Sequence, residues 1–388
     1  MLAEDVQVIS VDDHVIEHPR VWTDRLPARF QEAGPKVVDI STGEGERTQA
    51  WQFAGNTIPT IGLNAVAGKD PHDFGLEPAH FDDMLPGCYD LTARLADMDL
   101  DGVHAQMCFP SFPGFAGSTF HYAQQADPNL RELSNACVTA WNDFILDEWC
   151  AGAPDRFIPM VMVPFWDIDA TVAETKRCAE KGAKAITFTE APHRIGLPSF
   201  HSDHWDPFLS VAQEADLPLC LHFGSGGAPE VAPDANFAVA VALFGMNSQF
   251  TTVDMLFSRT FHQFPDLRVA LSEGGIGWIP YIVERLDYVW ERHRWYNDIN
   301  KEVKPSDLFR KHIFGCFIAD EAGLEMRDTI GIDNIMFEGD YPHSDSNFPH
   351  SRKHLAEVLH DVPDDDARKI AEDNARRVFN FPRATSVA

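Results

Sequence analysis

The chain is short of basic residues. Of 388 residues, 31 are Lys or Arg against 60 Asp or Glu, a formal net charge of −29. Affinity for a phosphate backbone comes largely from Lys and Arg, so this balance argues against a nucleic-acid partner and describes a well-solvated surface. Long apolar runs are missing as well. No uncharged stretch reaches the roughly 18 residues of a membrane span. The opening MLAEDVQV has neither the basic nor the apolar region of a signal peptide. No CxxC pair occurs. The seven cysteines (88, 108, 137, 150, 178, 220 and 316) are scattered through apolar stretches, as expected of reduced, buried thiols in a cytoplasmic protein. No GxGxxG follows the first strand candidate, and the glycines at 224, 226 and 227 are a weak pattern on their own. No internal repeat or low-complexity tract is present.

What the chain does have is alternation. Eight β-rich runs stand at Val6–Val11, Gly102–Met107, Phe157–Val163, Lys184–Phe188, Leu217–Leu221, Arg268–Leu271, His312–Phe317 and Asn334–Phe337. Segments of helical period lie between most of them, including Asp169–Lys181, Trp205–Ala215 and Gly277–Trp295. That order predicts parallel strands with helical crossovers. A (β/α)₈ TIM barrel needs about 250 residues, so one such domain over 1–388 carries extra material. Residues 35–88, rich in Gly, Thr, Asn, Pro and Asp, read as a cap inserted after the first strand. Residues 364–388 read as a capped C-terminal helix and tail. A doubly wound sheet is the alternative.

In a barrel the chemistry sits at the C-terminal ends of the strands. There the sequence places Asp12 and His14 after the first run, Glu190 after the fourth, His222 after the fifth, Glu273 after the sixth, and Glu338, Asp340 and His343 after the eighth. Singly, each has a bland reading: a hydrogen-bonded core histidine, a turn-forming Asp, a helix cap. Together they converge on one mouth. Burying so many carboxylates without a cation is costly, and mixed carboxylate and imidazole sets suit Zn²⁺, Mn²⁺ or Fe²⁺.

The motifs VDDHVIE, RLADMDLDGVHAQ (94–106), GLPSFHSDHWDPF (196–208), LCLHFG (219–224), SEGGIGWIPY (272–281) and EGDYPHSDS (338–346) span nearly the whole chain. In that order they resemble the amidohydrolase superfamily, in its aminocarboxymuconate-semialdehyde-decarboxylase-like branch. The resemblance implies a distorted barrel with a divalent metal held by Asp12, His14, His222 and Asp340. Asp13 then points the other way, and Glu17 and His18 stand behind the ligands or start a helix. Two departures matter. Asp12 stands where studied members carry His or Glu, and Glu273 stands where decarboxylases of the family often carry His.

The expected activity is non-oxidative decarboxylation or hydrolysis of a small organic acid. Asp340, Glu273 and His222 are the candidate catalytic groups. His343, Arg194, His193 and Trp278 are the candidate substrate contacts. Were Glu190 and Glu273 to hold a second ion, a dinuclear Fe or Mn/Fe oxygenase would be the alternative. A non-catalytic subunit of a hetero-oligomer is a third reading, disfavoured by the intact ligand set. The aromatic segment Tyr288–Tyr296 suggests a homo-oligomer, most simply a dimer.

Overall fold

The computed structural model describes residues 2–41, 47–60, 62–76 and 80–383. Residues 42–46, 61 and 77–79 of the expected cap and 384–388 of the expected tail lie outside the described residues. Strand β1 (Ile9–Val15) opens the chain. It is followed by β2 (Lys36–Ser41), β3 (Arg47–Phe53) and β4 (Asn56–Pro59). The remaining strands are β5 (Ala105–Pro110), β6 (Met160–Met162), β7 (Ala185–Phe188), β8 (Leu219–His222), β9 (Val269–Ser272), β10 (Ile313–Phe317) and β11 (Ile335–Phe337). All eight predicted barrel strands are present, and helices separate most of them.

Strands β6 to β11 form one parallel sheet in sequence order, and β1 pairs in parallel with β5. Two weaker seams complete the ring. Gln106 of β5 bridges Phe157 before β6. Beyond β11, the amides of Gly339 and Asp340 donate to Asp12 O (3.3 and 2.8 Å), and His14 N donates to Tyr341 O (2.6 Å). The result is a (β/α)₈ barrel with interrupted hydrogen-bond ladders. Its interior is filled by Ile9, Met107, Ala185, Cys220, Ala270 and Phe314, the closed side-chain packing such barrels require. All seven cysteines are free and buried.

Strand β1 is longer than the sequence suggests. The polar DDH triplet reads as a strand exit, yet it stays extended because β5 continues beside it. Asp13, His14 and Val15 pair with Cys108, Phe109 and Pro110, with a register slip between Ser10 and Asp13. Asp12 and His14 are therefore strand residues sharing one face, and Asp13 faces the other.

The segment after β1 has more order than its composition implies: β2, β3 and β4 make an antiparallel sheet. Trp51 and Phe53 of β3 are buried. Trp51 stacks on Phe112 at 4.7 Å and meets Trp22 edge-on at 5.1 Å. The amides of Val66 and Ala67 donate to Pro342 O (3.0 and 3.2 Å). The segment thus lies against the loops that follow β5 and β11.

At the other end, Asp364–Arg368 and Asn374–Val378 flank a wider turn at Lys369–Asp373. No side chain caps the first of these helices, whose N-cap is Pro363. Three Asp in its first turn face the positive helix end instead. No helix among the described residues is long and apolar enough to cross a membrane.

Candidate metal centre and its cavity

Alternation along β1 aims Asp12 and His14 into the mouth, and β8 ends on His222. Asp340 follows β11 with φ 54°, a left-handed conformation rare for a side chain other than glycine. Such strain persists where the surrounding structure fixes it, and here two amide donations to Asp12 O fix the turn. His14 Nε2 lies 3.4 Å from Asp12 Oδ1 and 3.2 Å from Asp340 Oδ1. His222 Nε2 lies 3.5 Å from Asp12 Oδ2 and 3.3 Å from His14 Nε2. Donor atoms of Asp12, His14 and His222, and of His14, Asp340 and His343, fall within 4.8 Å of one another.

Every one of these side chains is buried, and neither oxygen of Asp12 or Asp340 receives a hydrogen bond. Buried carboxylates left without donors are costly. Burial, helped by Glu338, Glu273 and Asp340, holds the Asp12 carboxyl well above the usual range. Burial, then Asp345 and Glu338, does the same to Asp340. Burial pushes His222 and His343 each down to about 3. Burial lowers His14 too, with His343, His222 and Arg94 adding to it. Neutral imidazoles are the form in which histidine binds a divalent cation, and a cation between them would supply the positive charge that lets the two buried carboxyls ionise.

The orientation of His222 is set from behind. Its Nδ1 lies 2.8 Å from Phe223 O, so that nitrogen carries the proton and Nε2 faces the cluster. Phe115 stacks on the ring at 3.8 Å. The β1 backbone is held by Arg94, fully buried, which donates to His14 O and Gly87 O (both 2.6 Å). Sequence reasoning missed Arg94 as a support. Its signal was a charged residue four before Met98 on the buried face of the helix Leu91–Asp101. Asp13 accepts from Tyr341 N (3.0 Å) on the opposite face of β1. Glu17 accepts from Ser111 N, Phe112 N (both 2.9 Å) and Trp141 Nε1 (3.1 Å). Its role is to hold the loop after β5. His18 accepts from Arg20 N (3.1 Å) at the start of a short helix.

Glu273 stands at the edge of the cluster. It too is left-handed, with φ 53°, and its Oε2 lies 3.4 Å from His222 Nε2. Its amide donates to Glu338 Oε2 (3.0 Å). Burial, then Asp340 and Glu338, holds its carboxyl well above the usual range. Burial raises Glu338 to about 8. Both carboxyls line a cavity of about 600 Å³ with Phe244, Trp278 and Phe317 in its walls. Trp278 is thus where a substrate contact was expected.

Other expected residues lie elsewhere. Glu190 is held through one oxygen: its Oε1 accepts from Gly224 N (2.7 Å), Gly226 N (3.4 Å) and Asn247 Nδ2 (2.8 Å), while its buried Oε2 has no donor. Glu190, His193 and Arg194 line a separate cavity of about 700 Å³, which none of the four expected ligands lines. Arg194 donates to Ala228 O (2.8 Å) there. None of the four lines the 600 Å³ cavity either; that cavity is tied to the cluster through Glu273, whose Oε2 lies 3.4 Å from His222 Nε2. His343 stacks on His14 at 3.6 Å, with Nδ1 3.1 Å from Asp340 Oδ1, among the ligand candidates instead of over the cavity.

The family profile described as Amidohydrolase matches residues 71–381. The chain belongs to the amidohydrolase family. Gamma-resorcylate decarboxylase from Rhizobium is 26% identical over 83% of this chain and 95% of its own length. An amidohydrolase structure from Mycobacterium avium subsp. paratuberculosis is similar with TM-score 0.70 and 21% identity, covering 97% of this chain and 100% of the other. The 5-carboxyvanillate decarboxylase of Novosphingobium aromaticivorans, solved with manganese, is similar with TM-score 0.65 and 19% identity, covering 97% and 96%. The expectation of a metal-dependent enzyme of this superfamily, on a TIM barrel, stands.

Proposed function

We propose that this amidohydrolase-family chain is a metal-dependent carboxy-lyase that removes CO₂ from a small aromatic acid without oxidation. One observation carries the reading. Two imidazole nitrogens and two carboxylates without donors converge beside an aromatic-walled cavity. Asp12, His14, His222 and Asp340 are the residues that would hold the ion, with His343 buttressing Asp340 and His14. When bound, a divalent ion polarises a substrate carboxylate or hydroxyl. Manganese, present in one of the similar decarboxylases, is the first ion to test.

The chain's own residues then manage a proton. Loss of CO₂ leaves an electron pair on carbon, which must receive one H⁺. Glu273 lines the cavity, touches His222, and keeps a proton more readily than an ordinary Glu. It is the residue placed to deliver that proton. Asp340, enclosed by His14 and His343, serves as ligand and proton reserve. The dinuclear oxygenase alternative asks Glu190 and Glu273 to share an ion. Glu190 Oε1 already accepts from Gly224 N and Gly226 N of the loop after β8 and from Asn247 Nδ2, and the two acids line different cavities, which favours the mononuclear lyase.

The test is CO₂ release from gamma-resorcylate and related hydroxybenzoates by protein reconstituted with Mn²⁺ or Zn²⁺, with metal counted per chain. One ion with CO₂ release supports the lyase. Two ions with O₂ consumption and no CO₂ would replace it with the oxygenase.

Exposed aromatic side chains support the expectation of a homo-oligomer. Tyr281 and Tyr288 of the helix Ile279–His293 are exposed by 67% and 50%, and Trp295 and Tyr296 just beyond it by 65% and 71%. Trp290 differs from its neighbours: it is buried and donates to Asn300 O (2.8 Å). A homodimer over the exposed face is expected, and sedimentation at micromolar concentration checks it.

A further inference from the structure

The charge of the 600 Å³ cavity limits what can enter it. Four carboxyl groups line it: Glu273, Glu338, Asp320 and Asp345. Neither Lys nor Arg is among its described lining residues, and His354 is the single imidazole. Asp320 is satisfied by the chain itself. It accepts from Ile276 N (2.8 Å), Gly277 N (2.6 Å) and Gly323 N (2.9 Å). Glu338 is buried on the floor, with one oxygen accepting from Glu273 N. Asp345 stands exposed at the opening. A substrate whose carboxylate is drawn to the ion would leave its remaining substituents among these acids. Burial biases Glu273 and Glu338 toward their neutral forms, so a second carboxylate there would lie against the carboxylates of Asp320 and Asp345 with no cationic side chain to neutralise them, a juxtaposition that suppresses binding. Hydroxyl or amino groups would instead donate to Glu338 and Asp345.

We infer that the cavity selects an aromatic monocarboxylate bearing hydroxyl or amino groups and rejects dicarboxylates, with Asp345 as a specificity-determining residue at the entrance. This rests on the carboxy-lyase reading for the direction in which the substrate lies. It also separates this chain from its similar structures, one of which acts on 5-carboxyvanillate, a diacid.

The experiment titrates manganese-loaded full-length protein by calorimetry with gamma-resorcylate and 5-carboxyvanillate. Benzoate and isophthalate repeat the comparison on a plain ring. CO₂ release is followed in parallel. The monoacid of each pair is expected to bind at least about tenfold more tightly, the scale of one like-charge contact at a partly solvated site. Asp345→Asn should narrow the gap by tightening the diacid, and Asp345→Lys should narrow it further. Diacids that bind the parent protein as tightly as monoacids overturn the inference. So does a gap that neither Asp345 variant changes, or the failure of all four acids to bind. Monoacid selection without CO₂ release from any acid would overturn the lyase reading and leave the charge selection standing. CO₂ release with equal affinities would do the reverse.

Discussion

Two corners of one barrel mouth hold buried carboxyls with opposite fates. At Glu190, three N–H donors converge on one oxygen. At Asp12 and Asp340, none of the four oxygens accepts a hydrogen bond. Burial raises all three groups: Glu190 to about 7, the two Asp in the same direction. A shifted carboxyl is therefore no mark of an ion site by itself. Donor supply separates the corners. The loop after β8 arrives at Glu190 with free amides and latches to it. Asp12 and Asp340 are instead surrounded by the imidazoles of His14, His222 and His343 and the carboxyls of Glu273 and Glu338, with no backbone amide aimed at their carboxyl oxygens.

The strongest way to break this comparison is His222→Ala. It removes a neutral ligand and should abolish bound metal and turnover together, with circular dichroism unchanged. Stoichiometric metal in the variant would mean the centre is elsewhere. Glu273→Gln comes next. It keeps the shape and loses the proton, so the rate should fall by about 10²–10⁴-fold with metal content unaltered. Loss of an ion instead would make Glu273 a ligand, and normal turnover would make it a helix-start residue alone.

Chelation probes the other side of the same contrast. Removing an ion present at 1,000 times its Kd should cost about 4 kcal/mol of stability, seen as a lowered Tm restored by Mn²⁺. An unchanged Tm would imply no resident ion.

The smallest effect belongs to the latched corner. Glu190→Gln keeps the accepting oxygen, so metal content and turnover should match the parent. Glu190→Ala leaves three N–H groups without a partner and should destabilise by about 1–3 kcal/mol for each one left buried. The pH dependence sharpens this. Burial lifts Glu190 from 4.5 to about 7, so the folded state holds its proton longer than the unfolded one. The stability this gives is present below about 4.5 and lost as pH rises to about 7. Denaturant titrations should show that slope in the parent and a flatter one in Glu190→Gln. Parallel slopes would mean the three donors already hold Glu190 ionised.

Much of this was written in the chain order. The eight apolar runs became β1 and β5–β11 because fully buried parallel strands need continuous apolar stretches, a local property that composition reveals. The four expected ligands could be named because barrel chemistry gathers at strand ends and the motifs around Asp12, His14, His222 and Asp340 are specific. Less legible was the length of β1. Its DDH triplet reads as an exit, and only pairing with β5 keeps it extended. The sheet β2–β4 was hidden for a similar reason: its alternation is short, and its burial depends on Phe112 and Trp22 from elsewhere.

By itself, then, the sequence determined the architecture, the family and the donor types at the mouth, since each depends on residue period and chemical identity along the chain. The tertiary structure decided which carboxyls receive N–H donors and which receive none. Glu190 and Asp340 look alike as acids beyond strand ends. What distinguishes them is whether amides from residues 34 to 57 positions away arrive to donate to them, as they do at Glu190. It also decided that Glu273 and Glu338 share one cavity while Arg194 and His193 line another. Hydrogen-bond supply and cavity charge are set by long-range packing, and no local pattern of residues encodes them.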